Sequence, residues 1–224
     1  MTCVLCHAKG QQYDLCPPCY QELPWLNDRC GRCSLPLAQA TAHVCGQCQH
    51  DPPYYNASVV LFHYLHPICH LINQFKFHQK LCYGHLLAEL LIEKLHALPR
   101  LPELLLPVPL HPVRLRERGY NPALELTRPL AKAFHIKLNH RYLIRQRYTA
   151  QQSLIAQNQR QANVRHAFKL TQKITANHVG LVDDVITTGY TVNECSKVLK
   201  QQGVQTVTVL AVARTGYHQS IPAS

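Results

Sequence analysis

The residues with the clearest chemical purpose lie in LVDDVITTGYT, residues 181–191. An apolar run ends in two carboxylates, Asp183 and Asp184. It then turns through Thr187, Thr188, Gly189, Tyr190 and Thr191 into a helical pattern. Backbone N–H groups that open a helix point at an anion, and the helix dipole adds to the attraction. Gly189 allows the backbone a close approach to a ligand, and the threonine hydroxyls are further donors. The aspartates, one loop away, suit the two hydroxyls of a ribose and a Mg²⁺ ion held directly or through water. Adjacent acids at the end of a buried strand are costly without such a partner. The chemistry expected here is the binding of a phosphorylated sugar.

A second set of residues is built for metal. Eight of the eleven cysteines form four C-x-x-C pairs: Cys3/Cys6, Cys16/Cys19, Cys30/Cys33 and Cys45/Cys48. Two intervening residues let one turn present both thiolates to one ion, and two such turns complete the tetrahedral sulfur cage that Zn²⁺ prefers. Eight thiolates make two closed Cys₄ sites, so two structural Zn²⁺ ions are expected. Sequential and interleaved pairing of the turns are both open at this point. Gly10, Gly31 and Gly46 are expected to supply positive φ in the knuckle turns. A closed cage leaves no open coordination position; it stabilises a segment too short to bury a core and performs no catalysis.

A third set is cationic. The formal net charge is +11. No acid occurs between Glu125 and Asp183, while Arg128, Lys132, Lys137, Arg141, Arg145, Arg147, Arg160, Arg165, Lys169 and Lys173 fill that gap. Just upstream, PVPLHPVRLRERGYNPA (107–123) carries Arg114, Arg116 and Arg118 after an apolar strand. Guanidinium forks suit phosphate oxygens. Such a field favours nucleic acid, pyrophosphate or acidic lipid.

The elements that must position these groups follow from periodicity. Residues 1–50 form the small zinc-binding domain, and DPPYYN within 51–57 reads as a linker of turn formers. From residue 58 to 224 the pattern becomes α/β. SVVLFHYL is a strand, Pro67 opens a helix, and a second helix covers about 83–97. ELLLPVPL (103–110) is apolar throughout, as a strand buried on both faces would be. A helix follows Pro122, and RYLIR (141–145) is a short strand. The last unit is strand, phosphate loop, helix, Gly203 and strand. Alternating strands and helices imply a parallel sheet covered on both faces, with ligands beyond the carboxyl ends of its strands. No apolar run is long enough to span a membrane. The N-terminus lacks a secretory pattern, so a cytoplasmic location is expected.

Five motifs occur in order along nearly the whole chain: the C-x-x-C array, Gln74–Lys80, Pro107–Asn121, Thr149–Leu154 with Arg160–Phe168, and Leu181–Thr191. Together they resemble the ComF family, including its GntX-like members, and the last resembles the signature of type I phosphoribosyltransferases. The resemblance implies a type I phosphoribosyltransferase fold behind a zinc-binding domain. It implies that residues 183, 184 and 187–191 bind phosphoribosyl pyrophosphate with Mg²⁺, and that the loop bearing Arg114, Arg116 and Arg118 contacts pyrophosphate. It also implies work on incoming single-stranded DNA in natural transformation, beside a helicase-like competence protein and other DNA-processing proteins, in the cytoplasm or at the inner face of the membrane.

Two functions of different kinds follow. As a DNA-handling factor, the protein would use Arg114, Arg116, Arg118, Arg145, Arg147, Arg160 and Arg165 along the phosphate backbone. Tyr120, Tyr142, Tyr148 and Phe168 would be available to stack on bases. As an active phosphoribosyltransferase, it would pass phosphoribose to a nitrogen acceptor in nucleotide salvage. Enzymes acting on 6-oxopurines carry a carboxylate two residues before the loop glycine; here Thr187 stands there, and no general base for an acceptor is visible.

Overall fold

The computed structural model describes residues 2–11, 13–37, 43–148 and 164–216. Two five-residue helices lie in the cysteine-rich region, α1 (Pro17–Gln21) and α2 (Gly46–His50). Strand β1 (Ala57–His63) leads into α3 (Ile68–Phe77) and α4 (Leu81–Leu95). Then come β2 (Leu104–Pro107), α5 (Pro112–Arg118), α6 (Pro122–Ala133), β3 (Lys137–Leu138), β4 (Leu143–Arg145) and β5 (Phe168–Leu170). The chain closes with β6 (His178–Ile186), α7 (Tyr190–Gln201) and β7 (Thr206–Arg214).

The main sheet has five strands in the order β1–β7–β6–β2–β3, all paired in parallel. Its central strands are apolar on both faces, and successive residues feed opposite layers. Val207, Val209 and Ala211 of β7 join Val192, Cys195 and Leu199 of α7 on one side. Leu210 and Val212 join Leu71, Phe75, Leu87, Leu91 and Leu126, from α3, α4 and α6, on the other. Each fully buried leucine contributes roughly 1.5–3 kcal/mol, so these layers dominate the stability of the domain. The helices of the second layer pack closely: a Cβ on Gly84 would lie 2.4 Å from the Phe75 ring. The short strands β4 and β5 form a separate antiparallel pair. Periodicity does not reveal β3 or β5, because two or three residues are too few to show alternation.

The cysteine-rich region is docked on this sheet. The Leu26 N–H donates to the carbonyl of Leu61 and the His63 N–H to that of Pro24, so residues 24–26 line the open edge of β1. Trp25 packs on Phe62, with ring centroids 4.6 Å apart. An exposed edge strand invites pairing with other chains, and this segment covers it. Residues 54–56 are anchored as well. The Tyr54 N–H donates to Asn193 Oδ1 at 2.7 Å, Tyr55 is buried, and Asn56 exchanges two hydrogen bonds with Val207.

Positive φ in the knuckles falls on residues other than the expected glycines. It occurs at His7 (62°) and Ser34 (53°), each directly after the second cysteine of a pair, and not at Gly10, Gly31 or Gly46. The turn closes when the N–H of that residue donates to the carbonyl of the first cysteine, as His7 does to Cys3 and Ser34 to Cys30. Tyr20 and Gln49 make the same contact to Cys16 and Cys45, but there the chain continues as the short helices α1 and α2.

Candidate ligand pocket and metal cages

The metal cages assemble in sequence. Cys3, Cys6, Cys16 and Cys19 form one cluster and Cys30, Cys33, Cys45 and Cys48 the other, with the ligand atoms of each within 4.8 Å of one another. Zn–S bonds of about 2.3 Å in a tetrahedron put the sulfurs about 3.8 Å apart. The Cys6–Cys16 and Cys33–Cys45 sulfurs, at 3.5 and 3.7 Å, fit that cage. These are two structural zinc sites, paired sequentially. His7, His43 and His50 are exposed and take no part in either cluster. The first cage lies toward the surface, with Cys6 exposed and Cys19 half-buried, whereas all four cysteines of the second are buried.

The candidate ligand pocket is a cavity of about 240 Å³ at the carboxyl ends of β2 and β6. Strand β6 delivers Asp183 and Asp184 to its floor, and Thr187 and Thr191 form one wall. Gly189 is the N-cap of α7 with φ 83°, a left-handed conformation that a β-carbon would strain. The chain therefore turns sharply from β6 and aims the first turn of α7, with its unsatisfied N–H groups, toward the end of the sheet.

Cations converge from three elements. Arg114 and Arg118, four residues apart on α5, both line the pocket, as does Arg145 at the end of β4. The segment bearing Arg114 and Arg118 is a short helix rather than a loop. His111 caps it by accepting from the Val113 N–H at 3.3 Å, and Asn121 ties its far end to the Val108 carbonyl at 3.0 Å. Helical geometry turns Arg116, two positions on, away from its neighbours; it is exposed and does not line the cavity. Arg147 and Arg165 are likewise exposed and outside the lining. Arg160 and the motif Thr149–Leu154 lie outside the described residues.

Lys76 was not singled out for the pocket by sequence reasoning. Its Nζ sits 2.6 Å from Asp184 Oδ1. The other such residues are Tyr64, Asn73, Phe77 and His111. The signal was the motif Gln74–Lys80, but a lone lysine at the end of a helix reads as solvated. Only the tertiary fold, which seats α3 on α4 and brings its end to the end of β6, turns Lys76 inward.

The electrostatics are poised for a ligand carrying both charges. Burial and the neighbouring Asp184 charge push the Asp183 carboxyl up to about 7, against the pull of Lys76 and Arg145. Burial pulls the Arg145 guanidinium down, partly offset by Asp183. A carboxylate pair strained in this way gains from a divalent cation, and the arginines gain from phosphate. Aromatic rings flank the cations. The Arg118 guanidinium lies 4.9 Å from the Phe77 ring centre, Arg114 is 5.5 Å from Tyr148 and Arg145 is 5.3 Å from Phe168. Tyr120 instead packs on Phe75, and Tyr142 is half-buried against the core.

Fold and sites define a two-part protein: a double zinc-ribbon region set on a parallel α/β domain with an acidic-floored, cation-walled pocket. Residues 1–49 match the family model of the double zinc ribbon domain. Over 221 residues the chain is 34% identical to competence protein F of Haemophilus influenzae, covering 93% of this chain and 95% of that protein. It is 33% identical to DNA utilization protein YhgH of Escherichia coli, covering 95% of this chain and 96% of that one. The chain belongs to the family of these two proteins. Among solved structures it aligns with a purine phosphoribosyltransferase from Pyrococcus horikoshii at 14% identity and a TM-score of 0.35, over 59% of this chain and 87% of that one. No helix among the described residues is long and apolar enough to cross a membrane.

Proposed function

We propose that this protein handles single-stranded DNA during DNA uptake and binds phosphoribosyl pyrophosphate with Mg²⁺ in the pocket. The observation that carries the ligand reading is convergence: Asp183 and Asp184, the loop that opens α7, and Arg114, Arg118 and Arg145 all meet in one cavity. Asp183 and Asp184 would take the ribose hydroxyls and the Mg²⁺ ion. Residues 187–191 would hold the 5′-phosphate, and the arginines the pyrophosphate. Lys76 would pass from Asp184 to the added phosphates. The DNA reading is supported by the names of the relatives and by the basic stretch around Arg145, Arg147 and Arg165. The Arg118–Phe77 and Arg114–Tyr148 pairs at the pocket rim offer exposed faces on which bases would stack, without sequence preference, whereas Phe168 is buried in the core and offers none. A helicase-like partner and action on the cytoplasmic side are part of this reading.

Sugar transfer to a nitrogen acceptor is the second reading. Thr187 in the wall, where an acid would activate a purine, favours binding over turnover. Calorimetric titration with phosphoribosyl pyrophosphate and Mg²⁺, with and without bound single-stranded DNA, tests both. Binding that DNA alters supports a regulatory ligand. Binding indifferent to DNA, followed by pyrophosphate release with a nucleobase, supports the enzyme. No heat at all refutes the ligand reading.

A further inference from the structure

Arg214, the last residue of β7, is a buried cation at 5% exposure. Among the described residues, no carboxylate forms an ion pair with it. Its Nε donates to the carbonyl of Cys33 at 3.2 Å and its Nη1 to the carbonyl of Ile186 at 3.1 Å. The first partner is a zinc ligand of the second cage; the second is the residue directly before the phosphate loop. A buried guanidinium without a counter-anion is strongly unfavourable. With Zn²⁺ bound, the second cage, whose Cys33 carbonyl the guanidinium contacts, would offer that anion, because four thiolates around Zn²⁺ carry a net charge of −2.

Neighbouring contacts repeat the connection. The Thr215 N–H also donates to the Ile186 carbonyl. Tyr55, seven residues after Cys48, places its hydroxyl 3.7 Å from where a β-carbon on Gly189 would stand. Tyr54 is bound to Asn193 in the first turn of α7. The Ile186 carbonyl before the loop and the Asn193 side chain after it are therefore held from the side of the second cage.

We propose that Arg214 is a positioning residue that couples zinc in the Cys30/Cys33/Cys45/Cys48 cage to the shape of the phosphate loop, so that metal and pocket ligand bind cooperatively. This rests on the ligand reading above. Zinc would hold the Cys33 carbonyl and neutralise the guanidinium, and the guanidinium would fix the Ile186 carbonyl from which residues 187–191 depart.

Coupling is reciprocal, so the unmodified protein provides the first test. With a chromogenic zinc chelator, one of the two ions should leave severalfold more slowly when phosphoribosyl pyrophosphate and Mg²⁺ are present at saturation. Ligand that binds by calorimetry yet leaves both release rates unchanged overturns the coupling. Absence of binding overturns the ligand reading, and the variants then still test the counterion role. Arg214→Met should release one ion at least tenfold faster and bind the sugar pyrophosphate at least tenfold more weakly. Arg214→Lys keeps the charge but loses the fork that spans two carbonyls. It should restore zinc retention while ligand affinity stays reduced. Full affinity and normal zinc retention in Arg214→Met refute the proposal; if that variant does not fold, full affinity in Arg214→Lys does so.

Discussion

The metal cages and the ligand pocket are built on opposite plans. Each cage takes its four ligands from a stretch of 17 to 19 residues, closed by local turns that bring N–H to carbonyl within a knuckle. The pocket takes its groups from α3, α5, β4 and the β6–α7 segment, which are widely separated in the chain. The cages therefore act on stability, because they hold segments with little core of their own. The pocket concentrates charge that the fold tolerates only at a cost. A local site is read from spacing, and a distributed one requires the sheet.

The largest effect expected is from the buried cage. Cys48→Ser should unfold the cysteine-rich region and uncover the β1 edge, lowering the melting temperature by ten degrees or more, as followed by calorimetry. Cys6→Ser, at the exposed cage, should cost clearly less. Equal losses would erase the distinction between a docked cage and a peripheral one.

Pocket substitutions should behave in the opposite way. Asp183→Asn with Asp184→Asn should abolish measurable sugar-pyrophosphate affinity without loss of fold. Asp183 is held at about 7 in the folded chain against an ordinary 3.8. A raised carboxyl pKa means that the folded state is favoured while the group is protonated. Its contribution is complete below about pH 4 and is lost as pH rises toward 7. Asp183→Asn alone should therefore raise the melting temperature of the ligand-free protein by a few degrees at pH 8, and hardly at all at pH 4. For the same reason Mg²⁺-dependent ligand affinity should rise with pH through 7. A melting temperature that falls at pH 8 would show that the acid pair is structural.

Smaller effects sharpen the boundary of the pocket. Lys76→Met should weaken ligand binding by about tenfold while removing a cation in contact with Asp184. Arg116→Ala should leave sugar-pyrophosphate affinity unchanged. If the basic face tracks DNA, the same change should reduce the salt dependence of single-strand binding by about one ion. A large loss of sugar binding in Arg116→Ala would place that residue in the site after all.

Most of the architecture was legible from residue patterns, for identifiable reasons. The strands β1, β2, β6 and β7 are apolar runs bounded by turn formers. The helices α3 and α6 begin next to proline, and α3, α4 and α6 repeat at helical spacing. The loop before α7 is announced by paired acids followed by Thr-Thr-Gly, and the cages by C-x-x-C. All of these signals act over fewer than twenty residues, the range in which chain geometry alone decides which side chains meet.

Tertiary structure decided whatever depends on separate elements meeting. Sequential pairing of the cysteine turns became definite only when each pair of knuckles closed on itself. Arg114 and Arg118 became pocket residues, and Arg116 did not, once α5 proved helical at the end of β2. Lys76 gained a role because the fold brings the end of α3 to Asp184 at the end of β6. Arg214 lies at the end of an apolar strand, where spacing hides that its guanidinium reaches Cys33, 181 residues away in the chain. A parallel sheet brings distant segments side by side at every strand. The partners of a buried charge in such a fold are set by strand order and layer packing, which local spacing does not encode.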